Sequence, residues 1–207
     1  MKEARRVMRT SKRRVWIGAT AALVCVVAGT TAALTAGGAS AVVPPGLSAF
    51  AAFGQPATSE VPAELRRFVA EPDVAERFGL DGTEVRAIPA PTGSGSSWYL
   101  IPGSKGVCFN DGAGGACASI ENALGGQLMA VLRPAPIDSK GTPSSNPSTI
   151  VEGVVPSNVT AVRVTGSDGA TTTAEINAGG AYRVGATGLS RVEFVGTNPP
   201  APIPFRW

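Results

Sequence analysis

The sequence predicts a mainly β protein: an antiparallel β-sandwich or small barrel with a short N-terminal helical element, preceded by one transmembrane helix. Three observations predict it. After Arg86 the apolar residues recur with period two in short runs cut by Gly, Pro, Asn and Asp, as half-buried strands require. Leu65, Phe68 and Val69 stand at i, i+3 and i+4, the spacing of one helical face. Val15 to Leu34, VWIGATAALVCVVAGTTAAL, is a run of twenty residues without a charge.

At the rise of an α-helix, about 20 apolar residues match a hydrocarbon layer of roughly 30 Å, so residues 15–35 read as a membrane span. Residues 1–14 precede it as a basic tail, with Lys2, Arg5, Arg6, Arg9, Lys12, Arg13 and Arg14 against the single acid Glu3. That excess holds the N-terminus in the cytoplasm and sends the C-terminal domain outside. The lipid bilayer is therefore the expected partner of residues 15–35. An alternative is secretion after cleavage following Ala41, because Ala39-Ser40-Ala41 has the small-x-small form that signal peptidase accepts. Of the total charge of +3, residues 1–14 carry +6, which leaves the exported part mildly acidic at −3. A nucleic-acid partner is excluded on that ground, since the basic cluster sits where membrane topology needs it.

Residues 36–59 are Ala, Gly, Pro, Val and Ser without periodicity and read as a flexible linker. Residues 60–80 form the helical element. Pro62 suits an early turn, Glu71-Pro72 breaks the helix, and a second short stretch presents Val74 and Phe78 before Gly79 stops it. The stripe Leu65, Phe68, Val69, Val74 and Phe78 is expected to pack on the β domain. That domain spans 85–195, with strands expected at Ser97 to Ile101, Gly106 to Asn110, Ala116 to Ile120, Gln127 to Arg133, Thr149 to Val155, Val159 to Thr165, Thr171 to Asn177, Ala181 to Gly185 and Ser190 to Val195. The clearest hairpin joins Val159–Thr165 to Thr171–Asn177 through Ser167-Asp168-Gly169. Residues 134–148, PAPIDSKGTPSSNPS, read as a long loop, and 196–207 as a Pro-rich tail that straps Ile203, Phe205 and Trp207 over the domain or docks elsewhere as polyproline II.

The chain contains no histidine, which removes the commonest general base and metal ligand, and with them the Ser-His-Asp, Cys-His and most zinc-site chemistries. No cofactor is expected. Cys25 lies in the apolar run, whereas Cys108 and Cys117 stand nine apart around a Gly-rich turn on the oxidising side. Those two are expected to form a disulfide. Ser104-Lys105 and Ser139-Lys140 are neighbours whose side chains diverge on an extended chain, so neither is a ready dyad. Asp111, Asp138 and Asp168 stand in turn contexts. Asn110-Asp111-Gly112 fails the calcium-loop pattern, having Ala113 and Gly115 where oxygen ligands are needed. Trp98 and Tyr99 are adjacent on a strand and must face opposite ways: one belongs to the core, and the other is a candidate ligand-contact aromatic.

The segments Trp98-Tyr99-Leu100-Ile101-Pro102-Gly103, Gly106-Val107-Cys108, Gly115-Ala116-Cys117, Glu152-Gly153-Val154-Val155-Pro156 and Val159 to Val164 resemble single-span exported proteins of high-GC Gram-positive bacteria. The likeness covers about Leu65 to Val195, and 14 Arg against 4 Lys suits such a genome. The resemblance implies an envelope protein and carries no activity or site residue with it. The function expected from the whole sequence is a non-catalytic, membrane-anchored binding or accessory module facing an envelope protein or glycan. Its alternatives are an extracytoplasmic hydrolase with a carboxylate or Ser/Lys site and a structural stalk domain.

Overall fold

The alternating runs after Arg86 form antiparallel strands linked by tight turns, and the computed structural model describes them within residues 43–94, 97–112, 114–132 and 148–205. The protein is mainly β with few helices. The expected span at 15–35 and the basic tail lie outside the described residues. Among the described residues no helix is long and apolar enough to cross a membrane.

The first sheet is a meander of β1 (Arg86–Ile88), β2 (Trp98–Pro102), β3 (Gly106–Asn110) and β4 (Gly115–Ser119), each antiparallel to the next. Pleating divides its side chains between two faces. Trp98, Leu100, Val107 and Phe109 turn to one side, where Leu47, Phe50, Ala123 and Leu128 meet them. Ile101, Cys108 and Cys117 turn to the other, under α1 (Ala63–Ala70) and α2 (Pro72–Phe78), whose Leu65, Phe68, Val69, Val74 and Phe78 form the apolar stripe. The helix pair thus covers the sheet as the spacing requires. Its stop is also local: Gly79 takes the left-handed conformation at φ 61°, and a β-carbon there would strike the side chain of Ser104.

The second and third sheets come from the rest of the chain. β5 (Met129–Leu132), β6 (Ser148–Val154) and β9 (Ala181–Thr187) form one with β6 central; β7 (Val159–Thr165), β8 (Thr171–Ala174), β10 (Arg191–Gly196) and β11 (Ile203–Pro204) form the other in the order β11-β10-β7-β8. Val151, Tyr182 and Val184 of the three-stranded sheet pack with Val162, Val164, Val192 and Phe194 of the four-stranded one. Val154 and Ala181, on the opposite face of the same strands, pack with Trp98 and Phe109. The three-stranded sheet therefore serves two cores, one on each face. That is why Thr149–Val155 reads as a nearly continuous apolar run rather than an alternating one.

Several elements depart from the sequence reading. Residues 43–59 were expected within the linker, yet Pro45–Ala49 and Ala51–Gly54 form 3-10 turns that bury Leu47 and Phe50 completely. The third strand stops at Ser119, whose Oγ accepts from the Asn122 N–H at 3.2 Å and starts α3 (Ile120–Leu124). β8 ends at Ala174 because Asn177 Oδ1 accepts from the N–H groups of Gly179 and Ala181 and turns the chain. β1 and β11, of three and two residues, are additional. The tail lies against β10: Ile203 pairs with Val192, and the Phe205 N–H donates to Ser190 O at 2.8 Å.

Candidate functional site

Tyr99 follows Trp98 on β2, and the pleat sends the two rings apart. Trp98 is fully buried, stacks on Phe109 at 5.1 Å between ring centres, and donates its indole N–H to Ser94 Oγ at 2.7 Å. It is the core aromatic of the pair. Tyr99 is half-buried on the helix side and lines an open cleft of about 600 Å³ with Glu60, Val61, Pro62, Arg66 and Gly82. Arg66 is exposed, one helical turn into α1, and neither its guanidinium nor the Tyr99 hydroxyl has a hydrogen-bond or ion-pair partner among the described residues. The cleft presents an aromatic face, a cation and a phenolic hydroxyl to solvent, a combination suited to holding a polar ligand by stacking and hydrogen bonding.

The floor beside the cleft is braced covalently. Cys108 and Cys117 are directly opposed on β3 and β4 and form a disulfide, with Cα atoms 4.0 Å apart. Cys108 pairs on its other side with Ile101 of β2, two residues from Tyr99, so the staple joins the two strands that follow the one carrying the aromatic.

The residues weighed for catalysis serve turns and helix ends. Lys105 Nζ donates to Glu76 O at 3.0 Å, at the end of α2. Asp168 Oδ1 accepts from the Ala170 N–H at 2.9 Å, inside the β7–β8 turn. Asp111 Oδ1 accepts from the Gly114 N–H at 2.6 Å in the β3–β4 turn, and Asn110 Oδ1 accepts from the Gly112 N–H. Asp138, Ser139 and Lys140 lie outside the described residues. Among the described residues no group of three or more His, Cys, Asp or Glu side chains is placed to hold a metal ion.

One constellation was not singled out from the sequence. Glu152 sits at the centre of β6, 1% exposed, and accepts from Arg183 Nη1 of β9 at 2.8 Å. Asp111, in the β3–β4 turn, is also buried, at 6% exposed. Burial raises the pKa of Glu152, the negative charge of Asp111 raises it further, and Arg183 opposes both. On the other face of β9, Tyr182 is fully buried with a hydroxyl that has no hydrogen-bond partner among the described residues, and its pKa is raised by burial first and by the charge of Glu152 second. The available signal was Glu152 itself, the lone charge in the apolar run Ile150-Val151-Glu152-Gly153-Val154-Val155. A charge at the centre of a two-sided strand needs a partner, and the chain supplies it from 31 residues away.

Comparison of the chain with protein-family models, with curated proteins and with solved structures found no match.

Proposed function

We propose that this protein is a non-catalytic binding or accessory module of the cell envelope, anchored through residues 15–35 and holding an envelope ligand at the Tyr99 cleft. The supporting observation is Tyr99, a half-buried aromatic on the strand beside the disulfide-linked pair, lining an open cleft next to Arg66, which has no ion-pair partner among the described residues. The scaffold is read as a β-sandwich stacked on a helix-covered meander, rigid enough to hold such a cleft open. Rigidity matters because a preformed aromatic contact avoids the ordering cost of binding. The anchor and the extracytoplasmic placement rest on the uncharged run Val15 to Leu34 and the basic residues before it.

The test uses full-length protein reconstituted in bilayers and incubated with isolated envelope glycan and envelope protein fractions. An aromatic anchor of this kind contributes about 2 kcal/mol, so Tyr99→Ala is expected to weaken retention about thirtyfold while leaving the unfolding transition in place. Equal retention of Tyr99→Ala and the parent would dismiss the cleft as the binding site. A reporter fused after Trp207 is expected to be active only outside the membrane, and cytoplasmic activity would reverse the topology.

A further inference from the structure

Taking the Tyr99 cleft as the binding site, and resting on that reading, we propose that it selects a zwitterionic ligand: a short peptide that presents an ammonium group to Glu60, a carboxylate to Arg66 and its apolar part to the Tyr99 ring. Glu60 and Arg66 are the two charged side chains that line the cleft, and they come from different parts of its wall. Glu60 belongs to the irregular segment that leads into α1, and Arg66 lies one turn inside that helix. Both are exposed. Although opposite in sign and in one cleft, they form no ion pair with each other, and among the described residues neither side chain has a hydrogen-bond or ion-pair partner. The cleft therefore keeps one charge of each sign open to solvent, with the Tyr99 ring and hydroxyl in the same wall.

Each simpler class of ligand leaves one of these groups badly served. An anionic glycan would meet Arg66 but set its carboxylates against Glu60, and like charges brought together in one site repel. A cation meets the reverse fault at Arg66. A neutral sugar could stack on Tyr99, yet it would strip water from both charges and return no charge in exchange. A ligand with an ammonium and a carboxylate joined by a few apolar atoms satisfies both charges and covers the ring, whose face also attracts the ammonium. The size agrees: about 600 Å³ holds a short peptide, and Gly82 adds a stretch of wall without a side chain.

The probe is alanyl-alanine, titrated by calorimetry into the full-length protein reconstituted in bilayers, beside its N-acetyl and C-amide derivatives. Loss of a charge-assisted contact weakens binding about tenfold, so each derivative should bind about ten times more weakly than the free dipeptide. Two variants assign each loss to its residue. In Glu60→Gln the free and N-acetylated dipeptides should bind alike while the C-amide still binds more weakly. In Arg66→Gln the free dipeptide and its C-amide should bind alike while the N-acetyl form still binds more weakly. Both side chains are exposed, so the substitutions leave the core untouched, and a misfolded variant could not lose one preference while keeping the other. Equal binding of the three dipeptides by the parent, or binding of none at millimolar concentration, would overturn the assignment, and so would variants that lose neither preference. Envelope retention separates that failure from failure of the site itself. If Tyr99→Ala releases the envelope fractions while Glu60→Gln and Arg66→Gln hold them as the parent does, the cleft is the site and its ligand is not a zwitterion; equal retention by Tyr99→Ala removes the site.

Discussion

Breaking the Cys108–Cys117 disulfide is the perturbation whose size can be worked most directly from the structure. The bond closes a loop with a sequence separation of 9 residues between two paired strands. For a loop of about 10 residues the chain-entropy relation gives about 2.7 kcal/mol at 25 °C, lost when the unfolded chain is freed. Packing modifies that figure in a known direction. Cys108 is fully buried among Leu65, Val85 and Ile101, so reduced thiols would remain in an apolar setting and lose few contacts, which keeps the loss near the entropic value. The assay is urea unfolding of the purified protein with and without prior reduction, followed by tryptophan fluorescence of the core ring Trp98. With a slope of about 1–3 kcal/mol per molar urea, the midpoint should fall by about 0.9–2.7 M on reduction. The double substitution Cys108→Ala and Cys117→Ala should reproduce the shift within about 1 kcal/mol, because two small side chains, one buried and one half-buried, replace the staple without opening a large cavity. An unchanged midpoint with both thiols titratable after reduction would refute the reasoning, since it would mean that the staple constrains nothing in the unfolded chain.

The remaining predictions use the same unfolding measurement. Trp98→Ala removes the largest buried ring and its stack on Phe109 and should cost about 3–5 kcal/mol; a loss under 1 kcal/mol would mean that Leu47 and Phe50 do not pack on it. Tyr182→Phe deletes a buried hydroxyl with no partner among the described residues, so it should stabilise the protein by about 1 kcal/mol, and a clear destabilisation would reveal a partner for that oxygen. Because the pKa of Glu152 is raised in the folded protein, its contribution is complete below the ordinary carboxylate value and is lost as pH rises through the folded pKa; the urea midpoint should therefore be higher near pH 5 than near pH 8, and Glu152→Gln should narrow the difference.

The strands best read from the sequence were those with one wet face. Val159–Thr165 alternates Val162 and Val164 against Arg163 and Thr165, and both the strand and its turn at Asp168 form where expected. The stripe on α1 and α2 was legible for the same reason: its polar side faces water and marks the apolar one by contrast. Trp98 and Tyr99 were separable into one buried and one half-buried ring by the pleat alone, but which was which depended on what covers each face. The segment Pro45–Gly54 escaped because it has no period; Leu47 and Phe50 are anchored by tertiary contacts, and Ala, Gly and Pro around them carry only a linker composition. Glu152 stood out as a lone charge in an apolar run, but its role escaped for a different reason: its partner Arg183 lies 31 residues on, in another strand. Local rules explain a residue's backbone duty and are silent about its long-range one.

The burial of Leu47 and Phe50 has a consequence for the order in which this chain can complete itself. A ribosome delivers these two residues before the sheet side chains of their cluster: Trp98 and Phe109 follow by some fifty to sixty residues, and Val154 and Ala181 by more than a hundred. Until β9 has been made, the segment cannot be seated on both of its supports, so the first apolar side chains of the domain are among the last to find shelter. Contacts of such long sequence separation slow folding, because the loop must close before the contact repays it. Trimming the chain just before α1, at residue 63, would leave the aromatic face of the meander open to water. The domain's first boundary is set by what residue 47 touches, far along the chain, and not by where regular structure begins.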